Sequence, residues 1–114
     1  MGQHKYRQMS EPEREYSGLL RKLVTLPRAG GPRLVSWLGR NTLSRTGYRE
    51  LVKLLGDGNA FQDGFAADRA EWITRAIQHS GSEHAGSRDL ERIRRGKFTT
   101  HAVKHAIALV TKPA

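Results

Sequence analysis

The stretch Ser10-Glu11-Pro12-Glu13-Arg14-Glu15-Tyr16-Ser17-Gly18-Leu19-Leu20-Arg21-Lys22-Leu23-Val24 reads as an amphipathic helix that carries its own start signal. Ser10 caps the first turn, Glu13 completes a capping box, and Pro12 sits where the helix tolerates it. Glu11, Glu13 and Glu15 lie at the positive end of the helix dipole. Tyr16, Leu19, Leu20, Leu23 and Val24 recur at helical spacing. Pro27 and Gly30-Gly31 are expected to end this element.

The same period continues downstream. A short second helix is expected from Pro32, a favoured first-turn residue, with Leu34, Val35, Trp37 and Leu38 inward and Gly39 and Asn41 closing it. A third follows a Ser44 or Thr46 cap and buries Tyr48, Leu51, Val52, Leu54 and Leu55. Gly56-Asp57-Gly58-Asn59 breaks the pattern. A fourth helix is expected from Phe61 to about His79, with Phe65, Ala66, Ala70, Ile73, Ala76 and Ile77 buried and Trp72 at the edge. Ser80–Gly86 reads as a loop, Ser87 to Arg95 as a short helix ending at Gly96, and Thr99 or Thr100 to about Val110 as the last helix. No stretch alternates with period two. The fold class is therefore all-α, a compact bundle of about five or six short helices. Residues 1–9 read as a flexible basic N-terminal arm, and 10–114 as a single helical domain with a joint near 56–59.

A chain of 114 residues is long enough to bury one core without staples. It has no Cys, which excludes disulfides, Cys-based zinc sites and thiol catalysis. No apolar run approaches the roughly 18 residues of a membrane span, and the N-terminus lacks a signal-peptide core. A cytoplasmic location and no membrane partner are expected.

Twenty Lys and Arg against eleven Asp and Glu give a net charge of +9, which attracts polyanions. The charge is segregated. Residues 1–56 carry a net +7, residues 57–91 a net −4, and residues 92–114 a net +6. Two basic segments suggest a face for nucleic acid, DNA or RNA, and the acidic 57–91 segment a face for water or a protein partner. Arg14, Arg21, Lys22, Arg28, Arg33, Arg40, Arg45 and Arg49 fall within 36 residues with only Glu15 against them. The planar guanidinium suits bidentate contact with phosphate, and Gly30-Gly31 with the free amides of a Pro32 helix would let backbone approach it.

The C-terminal unit runs Ser87-Arg88-Asp89-Leu90-Glu91-Arg92-Ile93-Arg94-Arg95-Gly96-Lys97-Phe98-Thr99-Thr100, then His101 to Val110. Leu90–Lys97 and the apolar helix behind it resemble the end of a Cro/repressor-type helix-turn-helix domain. The resemblance covers about 24 residues, and the glycine- and serine-rich Ser80–Gly86 departs from it. It implies that Ser87, Arg88, Glu91 and Arg92 face bases while Arg94, Arg95 and Lys97 clamp backbone. On the last helix, His101, Lys104, His105, Ala108 and Lys112 form a polar stripe, a phosphate-contact ridge by spacing.

His101 and His105 could hold a metal only with further ligands such as Glu83, His84 or His79, and solvated helix histidines are the simpler reading. Phosphate-binding and hydrolase signatures are missing, and Asp57, Asp63 and Asp68 suit caps and turns. No metal or cofactor is expected. Trp37, Trp72, Phe61 and Phe65 read as core. The leading expectation is a non-enzymatic nucleic-acid-binding protein, a phage- or plasmid-type regulator or a small helical subunit of a nucleoprotein complex. The alternatives are an inhibitor or adaptor that docks on a nucleic-acid enzyme, and a small basic nuclease using Glu83, His84, His101 and His105.

Overall fold

The capping box at Ser10 forms as its sequence dictates. In the computed structural model, which describes residues 10–80, 86–97 and 99–111, the Ser10 hydroxyl accepts from the Glu13 amide at 3.3 Å and Glu13 Oε1 accepts from the Ser10 amide at 3.3 Å. The first helix, α1, follows as Glu11–Thr25. The expected arm at 1–9, and Glu83, His84 and Lys112, lie outside the described residues.

After a one-residue break at Leu26, α2 runs Pro27–Leu38, not from Pro32 as the glycines and prolines suggest. Pro27 occupies the first helical turn, and Gly30 donates its amide to the Leu26 carbonyl at 2.8 Å. Gly30-Gly31 is therefore helix, not a phosphate-binding loop. The reason is tertiary. A Cβ on Gly30 would stand 2.7 Å from the Leu23 backbone nitrogen, and one on Gly31 would stand 2.7 Å from the Trp72 Cβ. The two glycines let α2 fold back closely along α1 on one side and seat on α4 on the other, and that packing outweighs their low helix propensity. Pro32 is carried inside the helix, on its exposed face.

α3 spans Arg45–Leu55 and is capped by Ser44, whose hydroxyl accepts from the Gly47 amide at 3.0 Å. A turn and a short 3-10 segment, Gly58–Phe61, lead to α4, Ala66–Ser80. Here the start is later than the periodicity predicts. The Asp63 carboxylate accepts from the Phe65 amide at 2.9 Å and forms a turn, and Phe65, expected inside, is 42% exposed. Phe61 is buried as expected. α5 covers Gly86–Arg94 and α6 covers His101–Thr111. The described residues hold six α-helices and no strand.

α4 is the central element and packs against each of the other five helices. Ala70, Ile73, Ala76 and Ile77 from α4 meet Leu23, Leu34, Leu51, Leu55, Leu90, Val103 and Ile107 in one apolar cluster. Each such fully buried aliphatic side chain contributes about 1.5–3 kcal/mol. Tyr16 and Trp37 close one end, their rings 5.1 Å apart, and the Tyr16 hydroxyl donates to the Gly47 carbonyl at 2.7 Å. Burial first, then the nearby Glu50 carboxylate, raises the Tyr16 hydroxyl well above its ordinary value.

One charged side chain is buried in this frame. Arg69, 3% exposed, donates to the Val24 carbonyl at 2.8 Å and to the Ala60 carbonyl, and pairs with Asp63 at 2.7 Å. It thereby ties α1, the 3-10 segment and the turn before α4 together. No helix among the described residues is long and apolar enough to cross a membrane.

Candidate functional site

Among the described residues, the carboxylates of the acidic segment are engaged within the molecule. Asp57 accepts from the Asn59 amide at 3.0 Å. Asp63 pairs with Arg69, Asp68 with Arg28 at 2.9 Å, and Glu71 with Arg75 at 3.7 Å. Asp89 takes the Arg92 guanidinium at 2.9 Å and the Tyr48 hydroxyl at 2.7 Å. Glu91 takes both Arg94 at 2.6 Å and Arg95 at 3.0 Å. The Arg94 hydrogen bond holds the Glu91 carboxyl below its ordinary range and raises Arg94, and the Arg69 hydrogen bond does the same to Asp63. The spacing i to i+3 or i+4 explains the pairs on α5 and at Glu71–Arg75; Arg28–Asp68 bridges α2 to α4.

Apart from Arg28, the cations on and beside α1, α2 and α3 are left otherwise. Arg21, Lys22, Arg33, Arg40, Arg45, Arg49 and Lys53 have no carboxylate within 4.0 Å among the described residues. Three of them converge. Because α2 folds back along α1, Lys22 of α1 meets Arg33 of α2 and Arg40 of the turn after it around a cleft of about 390 Å³. Glu15, Gly18, Leu19 and Ser36 complete its walls. Arg33 and Ser36 share one edge of the exposed face of α2, with Arg40 just past its end, while Glu15, Gly18 and Lys22 share one edge of α1. Gly18 leaves the mouth open, since a Cβ there would meet nothing within 4 Å. The arrangement offers two guanidinium forks, an ammonium and a hydroxyl to an anion, against a single carboxylate.

A second basic region lies where α3 and α5 meet. The Tyr48–Asp89 hydrogen bond joins the two helices, and Arg92 lies near the Tyr48 hydroxyl. Burial and the Asp89 bond raise that hydroxyl well above its ordinary value. Arg45, Arg49 and Lys53 run along one exposed flank of α3, beside Tyr48, and Arg88 and Arg92 are exposed on α5. Lys53 is the residue that the sequence reading leaves out; its spacing of four from Arg49 and eight from Arg45 is the signal that marks it.

The remaining residues fall elsewhere. Arg21 stands on the rim of an apolar groove between α1 and α3, floored by Leu20, Val24, Leu26 and Leu54. Lys97 is exposed in the turn after α5, whose end is pinned by the Thr99 hydroxyl donating to the Ile93 carbonyl. Lys104, His101 and His105 are exposed on α6, opposite the buried Val103, Ala106 and Ile107. Among the described residues, no three His, Asp or Glu side chains gather as a metal site would require. Trp37 is buried in the core, and Trp72 is half-buried at its edge.

No protein-family model, curated protein or solved structure matches the chain.

Proposed function

We propose that this chain is a non-enzymatic protein that binds the phosphate backbone of nucleic acid, with the α1–α2 cleft as its principal contact. The observation that carries the reading is the gathering of Lys22, Arg33 and Arg40 around one opening without ion-pair partners among the described residues, while six other arginines are already paired. An arginine held by its own carboxylate must give up that pair before it meets a phosphate. An unpaired one gives up only water and counterions. Exposed ion pairs are worth about 0–1 kcal/mol, so Arg92, Arg94 and Arg95 remain able to swing to a ligand, but they start at a disadvantage. The exposed flank of α3 and Arg88 on α5 extend the positive field beyond the cleft.

The test is a binding titration of the full chain against duplex DNA, single-stranded DNA and RNA of equal length at two salt concentrations. The expected result is binding to at least one of them that weakens steeply as salt rises, and that is lost in an Arg33→Glu, Arg40→Glu variant that stays folded. Binding that survives this reversal undiminished, or no binding to any of the three at low salt, overturns the reading.

A further inference from the structure

α2 has a depression on each side of its exposed face. On one side is the cationic cleft with α1. On the other, between α2 and α4, a hollow of about 360 Å³ is lined by Val35, Trp72, Arg75, Gln78 and His79. Such a volume is within the range of about 300–1,000 Å³ that suits small planar ligands. Its chemistry differs from that of the cleft. The indole of Trp72 is half-exposed and is braced from behind by the backbone of Gly31. The Arg75 guanidinium stands over the ring, 5.6 Å from its centroid, and its pair with Glu71 is long, at 3.7 Å. Gln78 donates its amide nitrogen to the Val110 carbonyl at 2.6 Å, which fixes the side chain and leaves its amide oxygen as an acceptor. An indole, a loosely held guanidinium, a fixed amide oxygen and an imidazole are the groups with which proteins stack on and edge-read a nucleobase.

We infer that the Trp72–Arg75 hollow binds an unpaired nucleobase, and that the nucleic acid taken by this protein is single-stranded. The inference rests on the phosphate-binding reading of the α1–α2 cleft. A strand crossing α2 places phosphate among Lys22, Arg33 and Arg40 and swings a base over the helix onto Trp72, displacing the Arg75 guanidinium that covers the ring. The span is one helix width, roughly 10 Å, which a short run of extended strand covers. A paired base stays in its stack and cannot reach the indole.

The chain contains its own reporter. Its two tryptophans differ in access: Trp37 is 3% exposed and Trp72 lines the hollow. The full chain is titrated with dye-labelled oligo(dT), with an abasic strand of the same length, and with duplex DNA. Dye anisotropy follows binding, and tryptophan emission follows stacking. With oligo(dT), emission is expected to fall in step with anisotropy. The quenching persists in Trp37→Phe, which removes the buried indole and keeps a ring against Tyr16. The abasic strand and the duplex bind without quenching. Trp72→Ala weakens oligo(dT) binding roughly 5- to 100-fold and leaves the abasic strand unaffected, while Trp72→Phe, which keeps a ring on Gly31, recovers most of the loss. Anisotropy that rises with no quenching, or equal quenching by duplex, overturns the base site and leaves phosphate binding standing. No rise in anisotropy with any strand overturns phosphate binding itself.

Discussion

Gly31 of α2 lies directly against the indole of Trp72 on α4, so closely that a Cβ at position 31 would stand 2.7 Å from the Trp72 Cβ. This contact sets how α2 sits on the central helix. It also braces the ring that walls the α2–α4 hollow. Gly31→Ala forces one of the two helices to move. A destabilisation of about 1–3 kcal/mol is expected, the usual cost of overpacking, read as a lower denaturation midpoint with an unchanged slope.

Arg69 is the joint of the α1 end, the 3-10 segment and the turn before α4. Arg69→Met keeps the aliphatic stem but leaves the Val24 and Ala60 carbonyls without their donor. A loss of roughly 3–5 kcal/mol is expected in chemical denaturation, the range for removing one partner of a buried charged network. A change below about 1 kcal/mol would show that water replaces the guanidinium.

The buried tyrosines give the protein an alkaline limit. Tyr16 and Tyr48 both hold their protons more tightly when folded than when unfolded. Their stabilisation is thus complete below the unfolded value of about 10 and is lost as pH rises above it. The melting temperature is expected to hold steady from pH 7 to 9 and to fall above pH 10, with a shallower fall in Tyr48→Phe. Asp63 and Glu91 act in the opposite sense. Their folded values are depressed, so their contribution is present above about pH 4 and fades as pH drops below it.

Glu15 is the one carboxylate in the wall of the cationic cleft. If phosphate enters there, Glu15 opposes it. Glu15→Gln is expected to tighten binding of a nucleic-acid strand roughly 2- to 5-fold, the size of an exposed charge interaction, with no loss of stability. Weaker binding in this variant would place the ligand elsewhere.

Much of the fold is legible from local rules. The Ser10 capping box, the Ser44 cap and the apolar stripes of α3 and α6 form where their spacing says, because each depends on residues three or four apart. The start of α2 is not legible. Pro27, Gly30 and Gly31 are helix breakers on local rules and Pro32 a helix start, and only the closeness of α1 and Trp72 explains two glycines inside a helix. Phe65 follows the period of α4 yet lies outside, since the Asp63 turn delays the helix by several residues.

The site shows the same division. The basic excess and its two blocks are visible in the sequence, and so is the i, i+3 and i+4 spacing that pairs Asp89 with Arg92 and Glu91 with Arg94 and Arg95. Arg28–Asp68, the buried role of Arg69, and the meeting of Lys22 with Arg33 and Arg40 depend on how helices cross.

The salt dependence of binding measures the difference between paired and unpaired cations directly. The logarithm of affinity falls with the logarithm of salt by about 0.7 per phosphate on single strands and about 0.9 on duplex. Replacing Lys22, Arg33 and Arg40 together by Gln is expected to make that slope shallower by about 2–3 and to weaken binding strongly at low salt. Replacing Arg94 and Arg95 by Gln should leave the slope nearly unchanged. A slope that stays at the wild-type value in the first variant and collapses in the second would contradict the assignment of the α1–α2 cleft.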